Sequence, residues 1–196
     1  MRRLQDGFDS RRLTHRLDGQ PGRIGITADD RCVVERRTPF FRANADAQGR
    51  PGCSYEGGAD GFVRVNERRR AACPSEVSNG MFRSLGDLLA NAAVALFFDD
   101  FELLRRLRIN DRAHLPFDDP PRAEDASAQP VVRMREERAY PDCPRDIHRM
   151  LPVEPSPYLP RATVTPPVPA WKRVEVFLDV SPRDGPARDA PDAAQR

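Results

Sequence analysis

The sequence predicts a mainly β fold, an antiparallel β-barrel of six to seven strands with flanking helices, and three observations carry that reading. Between Phe40 and Tyr140, short segments either alternate polar with apolar residues or form brief apolar runs. Turns rich in glycine, aspartate and proline separate them. One interior helical signal, around Arg83–Asn91, interrupts the series. Parallel strands need long crossover connections, so strands that follow one another this closely form an antiparallel sheet.

Composition sets the bounds. The 196 residues suffice for one domain with a real core. Hydrophobic residues make up 39% and charged residues 32%, which describes a polar chain that still buries apolar surface. No apolar run approaches the ~20 residues that cross a bilayer. The opening Met1-Arg2-Arg3-Leu4-Gln5-Asp6 lacks the apolar stretch of a secretory signal, so a cytoplasmic location and no membrane partner are expected. Net charge is +2 with both signs interspersed, which argues against a nucleic-acid partner. Lys172 is the only lysine, so the number of arginines reflects composition, and position is what counts. Cys32, Cys53, Cys73 and Cys143 show no C-x-x-C spacing, and His15, His114 and His148 are scattered. No metal site is expected, and the thiols read as reduced and mostly buried.

Phe8 to Asp18 reads as a short helix with leucines at 13 and 17. Thr27-Ala28-Asp29-Asp30 resembles a capping box opening a second helix to about Arg37, with Cys32, Val33 and Val34 facing inward. Phe40–Ala45 reads as a strand, Asp46–Gly49 as a turn and Pro51–Glu56 as the second arm of a hairpin. A turn at Gly57–Gly61 leads to a strand at Phe62–Val65, and a weaker strand lies around Ala71–Pro74. Beyond the helix come strands at Ala93–Phe98 and Leu104–Leu115, a loop from Pro116 to Pro130, and a strand from Val131 towards Tyr140. Ten of the 20 prolines follow Leu151, so the tail reads as extended or disordered, with Trp171 as a docking anchor. The expected organisation is a helical segment packing on the barrel (1–38), the barrel (39–150) and a proline-rich tail (151–196).

The stretch from Ser78 to Gly86 carries the clearest chemistry. Polar residues lead into an amphipathic helix whose first turn holds Arg83 and Ser84. Such a helix start offers unpaired N–H groups and the positive dipole end to an anion, with a guanidinium and a hydroxyl beside it. Alternation in Arg105–Ile109 puts Arg106 and Arg108 on one strand face.

Several segments resemble a bacterial branch of the pyridoxamine 5′-phosphate oxidase-like, FMN-binding split-barrel family. They are Ala45–Pro51, Cys53-Ser54-Tyr55, Gly61–Val65, Asn79-Gly80-Met81-Phe82, Phe101-Glu102, Arg106–Ile109 and Pro141–Arg145. The resemblance implies a split barrel, FMN as cofactor, a small-molecule substrate and a homodimer with flavin at its interface. Arg83 falls at the family's phosphate-binding arginine, and Ser84 stands where many relatives have lysine. Arg106 aligns with a residue beside the flavin ring on the partner strand, and Ser54 and Tyr55 lie on the strand that runs along it. Asn79 and Met81 belong to the same cofactor-binding set. The chain departs from relatives at Glu56, an acid near an anionic cofactor, and at Glu76-Val77-Ser78. The substrate motif of true pyridoxamine phosphate oxidases is not recognisable in the tail. The resemblance therefore implies an FMN-dependent oxidoreductase other than a vitamin B6 oxidase. The alternatives are a non-catalytic sensor or carrier on the same barrel, or F420 or haem as cofactor.

Overall fold

A computed structural model describes residues 1–18, 26–67, 70–76, 80–116, 128–134, 138–159, 166–178 and 180. Its backbone divides into two units, Met1–Pro152 and Val153–Arg196. The first unit opens with helices α1 (Arg2–Gly7), α2 (Arg11–Asp18) and α3 (Ala28–Arg36). Strands β1 (Pro39–Ala45), β2 (Pro51–Gly57), β3 (Arg64–Val65) and β4 (Ala71–Glu76) follow, then helix α4 (Arg83–Ala90). Strands β5 (Ala93–Asp100), β6 (Arg105–His114), β7 (Ala128–Met134) and β8 (Arg138–Asp142) complete it. The fold is mainly antiparallel β with flanking helices, as the sequence predicts.

The strand order is β2-β1-β5-β6-β7-β4-β3, and β8 adds to β6. β6 gives one edge to β5 over Arg105–Arg112. It shares the other edge, pairing Arg106–Asn110 with β8 and Ala113–His114 with β7. Eight strands therefore form where the alternation suggests six or seven, because the expected strand from Val131 to Tyr140 is two strands serving different parts of one edge. The expected strand at Phe62–Val65 shrinks to Arg64–Val65. Phe62 sits instead on the preceding turn, its ring 5.7 Å from that of Phe40.

Alternation decides what each strand buries. Phe40 on β1, Leu96 and Phe98 on β5, Leu107 and Ile109 on β6, and Val132 and Met134 on β7 point into one core. Phe40 and Phe98 stack at 5.0 Å. The packing is tight enough to dictate a glycine: a Cβ at Gly58 would lie 2.2 Å from the Phe62 ring. At the β1–β2 turn, Gly49 has φ +79°, the conformation expected there.

The helices show the local chemistry at work. Thr27 Oγ1 accepts from the Asp30 N–H at 3.1 Å, and Asp30 Oδ2 accepts from the Thr27 N–H at 3.0 Å, so the capping box is present. On α3, Val34 is buried and Val33 half-buried, but Cys32 is exposed, contrary to the inward placement expected of it. Cys53 and Cys143 are exposed too, so only Cys73 fits the expectation of buried thiols. Cys32 lies on the solvent side of its helix and Cys53 on the outward side of its strand, positions that composition alone does not distinguish. The helix expected at Phe8–Asp18 starts later, at Arg11, and a separate helix at Arg2–Gly7 precedes it, with Asp9 at φ 49° between the two. Ser10 bonds back to Gln5 at the break, its N–H donating to the Gln5 carbonyl at 2.8 Å.

The second unit is described over 153–159, 166–178 and 180. It contains a 3₁₀ turn at Ala170–Arg173 and a short helix α5 (Glu175–Leu178) where the sequence suggests extended chain. Trp171 meets Phe177 edge-on at 5.7 Å, and Lys172 lies over the indole. Among the described residues no helix is long and apolar enough to cross a membrane.

Glu35 ties α3 to the edge of the sheet, accepting from the Val65 N–H at 3.1 Å and from Arg31 Nε at 3.0 Å. Burial works to raise its pKa, but these hydrogen bonds and the charges of Arg31 and Arg64 outweigh it and hold the carboxyl below its ordinary value. A lowered carboxyl pKa supports the fold above the ordinary carboxylate range, and that support is lost as pH falls through the folded value. Below about pH 4.5, wild-type stability should therefore fall more steeply than that of Glu35→Gln, read by urea unfolding across pH. Burial pushes the Cys73 thiol up to about 12. A thiol reagent at pH 8 should modify Cys32, Cys53 and Cys143 quickly and Cys73 only as the chain opens, with the sites read by peptide mass spectrometry.

Candidate functional site

Helix α4 begins at Arg83, where the sequence places it. Phe82, just before it, has φ 47° and ψ 27°, and no side chain caps the helix. The first bond of the turn runs from the Gly86 N–H to the Phe82 carbonyl at 2.8 Å. The N–H groups of Arg83, Ser84 and Leu85 thus stand at the positive end of the helix with no helical partner. Arg83 is exposed and Ser84 half-buried, while Leu85 and Leu88 anchor the helix in the core. Asp87 pins it further, accepting from Asn44 Nδ2 on β1 at 2.8 Å.

A second feature lies on the outer face of the sheet. Tyr55 on β2 stands opposite Phe41 on β1, Phe41 opposite Phe97 on β5, Phe97 opposite Arg108 on β6, and Arg108 opposite Tyr140 on β8. These five side chains form one lateral row across five strands. Tyr55 and Phe41 meet edge-on at 5.8 Å and are 66% and 38% exposed. The guanidinium of Arg108 lies 5.4 Å from the Phe97 ring centre and that of Arg106 5.8 Å from it. Arg106 also donates from Nε to Asp99 Oδ1 at 3.1 Å and from Nη1 to the Cys143 carbonyl at 3.2 Å. Arg108 donates to Asp142 at 2.8 Å, and Asn110 to the Tyr140 hydroxyl at 3.1 Å.

The inner face of the same hairpin is different. Arg42 and Asn44 point inward from β1, and Ser54 and Glu56 from β2. Arg42 Nη2 lies 2.7 Å from Glu56 Oε1, with both side chains largely buried, and Ser54 Oγ donates to the same oxygen at 2.6 Å. Glu56 is thus a neutralised interior acid and not a charge turned towards an anionic ligand.

The residues singled out from the sequence therefore fall in different places. Arg83 and Ser84 share the α4 start. Tyr55 and Arg106 share the outer face of the sheet. Ser54 points inward and is held by Glu56, away from its neighbour Tyr55. Met81 is exposed just before α4, and Asn79 lies outside the described residues. α4 packs against the inner face through Asn44 and Asp87, so within the chain this helix and the aromatic row do not share a face. Phe41, Phe97 and Tyr140 are not singled out by the sequence, and Arg108 only as sharing a strand face with Arg106, because the row is assembled from five strands and each strand contributes one residue. The signal for Arg42 and Asn44 was present, since both share the inward register of Phe40. Among the described residues there is no cluster of three or more His, Cys, Asp or Glu able to hold a metal ion.

No family model matches the chain, and no curated protein matches it. Solved structures similar to it are pyridoxamine 5′-phosphate oxidase-like split-barrel proteins at low identity. HupZ from Group A Streptococcus is 17% identical with a TM-score of 0.48, over 59% of this chain and 93% of that one. A presumptive pyridoxamine 5′-phosphate oxidase from Lactobacillus delbrueckii is 19% identical with a TM-score of 0.47, again over 59% and 93%. HutZ, the heme storage protein from Vibrio cholerae, is 16% identical with a TM-score of 0.42, over 59% of this chain and 94% of that one.

The interior pair makes its own prediction. Glu56→Ala leaves the Arg42 guanidinium buried without its counter-charge and should cost about 3–5 kcal/mol in urea unfolding. Replacing both residues by methionine should cost less than that single change.

Proposed function

We propose that the chain is an FMN-binding protein that works as a homodimer and serves a redox reaction on a small-molecule substrate. The observation that carries this reading is the start of α4, where three N–H groups without helical partners stand beside the Arg83 guanidinium and the Ser84 hydroxyl. That donor set suits a phosphate: hydrogen bonds from backbone and hydroxyl, and one fixed positive charge. The outer row suits a flat aromatic ring, with the exposed Tyr55 and Phe41 offering apolar surface and Arg106 a donor at the edge. A ligand touching both features needs two copies of the chain, since one protomer presents them on opposite faces of β1 and β2.

In this reading Arg83 binds and neutralises the phosphate, and Ser84 orients it. The row holds one ring face and keeps water from it. Arg106 keeps its charge balanced by Asp99 until a ligand draws on it. A bound FMN would supply reversible hydride acceptance, which the protein directs by position and electrostatics. No side chain is assigned as a catalytic residue.

A second reading, a ligand-binding sensor or carrier on the same barrel, is favoured by the neutral Ser84 and by the pairing of Arg106 with Asp99. Turnover with NADH or NADPH and an artificial acceptor separates the two, because a carrier binds flavin without turning over. The absorbance spectrum of the loaded protein distinguishes FMN from F420 or haem.

Titration with FMN followed by fluorescence quenching should give saturable binding at micromolar concentration. Arg83→Ala should weaken it by about 1.5–3 kcal/mol, the range for a charged hydrogen bond. No uptake by the wild type, or unchanged affinity in the variant, would overturn the assignment of this site.

A further inference from the structure

We propose that the barrel interior holds at least one ordered water that bridges Arg42 and Asn44. Both side chains point inward from β1 and are only 3% and 7% exposed. Nη2 of Arg42 is taken by Glu56. Its Nε and Nη1, and Oδ1 of Asn44, are buried with no hydrogen-bond partner among the described residues. Orphaned polar atoms are rare in folded interiors, and these three gather on neighbouring inward positions of one strand.

The chemistry of the three atoms selects the occupant. Two are donors and one is an acceptor, so the bridging species must accept from a guanidinium and donate to an amide oxygen. The orientation of the amide is set by its other end, because Nδ2 donates to the Asp87 carboxylate. Turning the amide over would set two oxygens against each other. An anion satisfies Arg42 but is repelled by the Asn44 oxygen and by the carboxylates of Glu56 and Asp87. The Cys73 thiol is not the missing partner, since its weak bond goes to the Val132 carbonyl at 3.9 Å. Water meets both demands. Residues two apart on one strand face are separated by roughly 7 Å, a span that one or two waters and a long arginine side chain cover.

The position of this water gives it a role. Asn44 is the residue through which β1 grips Asp87 on α4, so the hydrated pair supports the helix that carries Arg83. The water is therefore a positioning element and not a ligand of the outer surface.

A crystal structure of the full chain at a resolution that shows waters tests the idea directly. Water density within hydrogen-bond distance of Asn44 Oδ1 and of Arg42 Nε or Nη1 is expected, with no anomalous peak there after a bromide soak. A bromide peak at that point, or protein groups satisfying all three atoms, would overturn the proposal. In solution, water-oxygen magnetic relaxation dispersion should count at least one fewer long-lived water in Asn44→Leu than in the wild type, and an unchanged count sinks it. If that variant does not fold, the wild-type crystal still decides.

Discussion

The architecture depends on how one strand divides its edge. β6 is paired along almost its whole length with β5, but its other edge serves β8 first and β7 afterwards. A single neighbour there would continue one flat sheet. Two neighbours on one edge let the sheet part, so that β7, β4 and β3 lead one way while β5, β1 and β2 lead the other. The core sits between, supplied from alternate positions chiefly by β1, β4, β5, β6 and β7, while β2 adds no buried apolar residue to it.

The same alternation gives the β1–β2 hairpin two unlike faces. Inside are Arg42, Glu56, Ser54 and Asn44; outside are Phe41 and Tyr55. A slip of one residue in one strand's pairing would turn its charges outward and its aromatic side chain into the core. The interior ion pair and the exterior row therefore hold the register jointly. A buried ion pair contributes little net stability, yet breaking it is costly, so its effect is to penalise wrong pairings. α4 joins this arrangement through Asp87, which links the candidate phosphate site to the interior of the hairpin.

Much of this was legible in the sequence, for identifiable reasons. Strands β1 and β2 and the glycine turn between them follow from local alternation and local backbone preference, and the Thr27 capping box from a four-residue pattern. The start of α4 was legible because Arg83 opens a run with helical spacing. What the sequence withheld was pairing. Glu56 reads as an acid near an anionic cofactor until the fold places Arg42 against it, and Arg106 reads as a flavin-ring contact with no hint of Asp99 opposite it. The row from Tyr55 to Tyr140 brings together residues up to 99 positions apart, and no local window contains it. The division into β7 and β8 was hidden as well, because the edge of a distant strand decides it. The left-handed Phe82 had no signature, since nothing about a phenylalanine announces positive φ.

The hairpin with its interior charges also bears on the order in which the chain folds. β1 and β2 are joined by a short turn, so they can pair early from contacts close in sequence. β5 and α4, which close over Arg42 and Asn44, lie some 40 to 55 residues further along. Until they arrive, the ion pair remains in water and its desolvation cost is deferred to the last steps of assembly. The barrier to folding then includes drying a charged hairpin, and salt would act on the rate of closure before acting on the finished barrel.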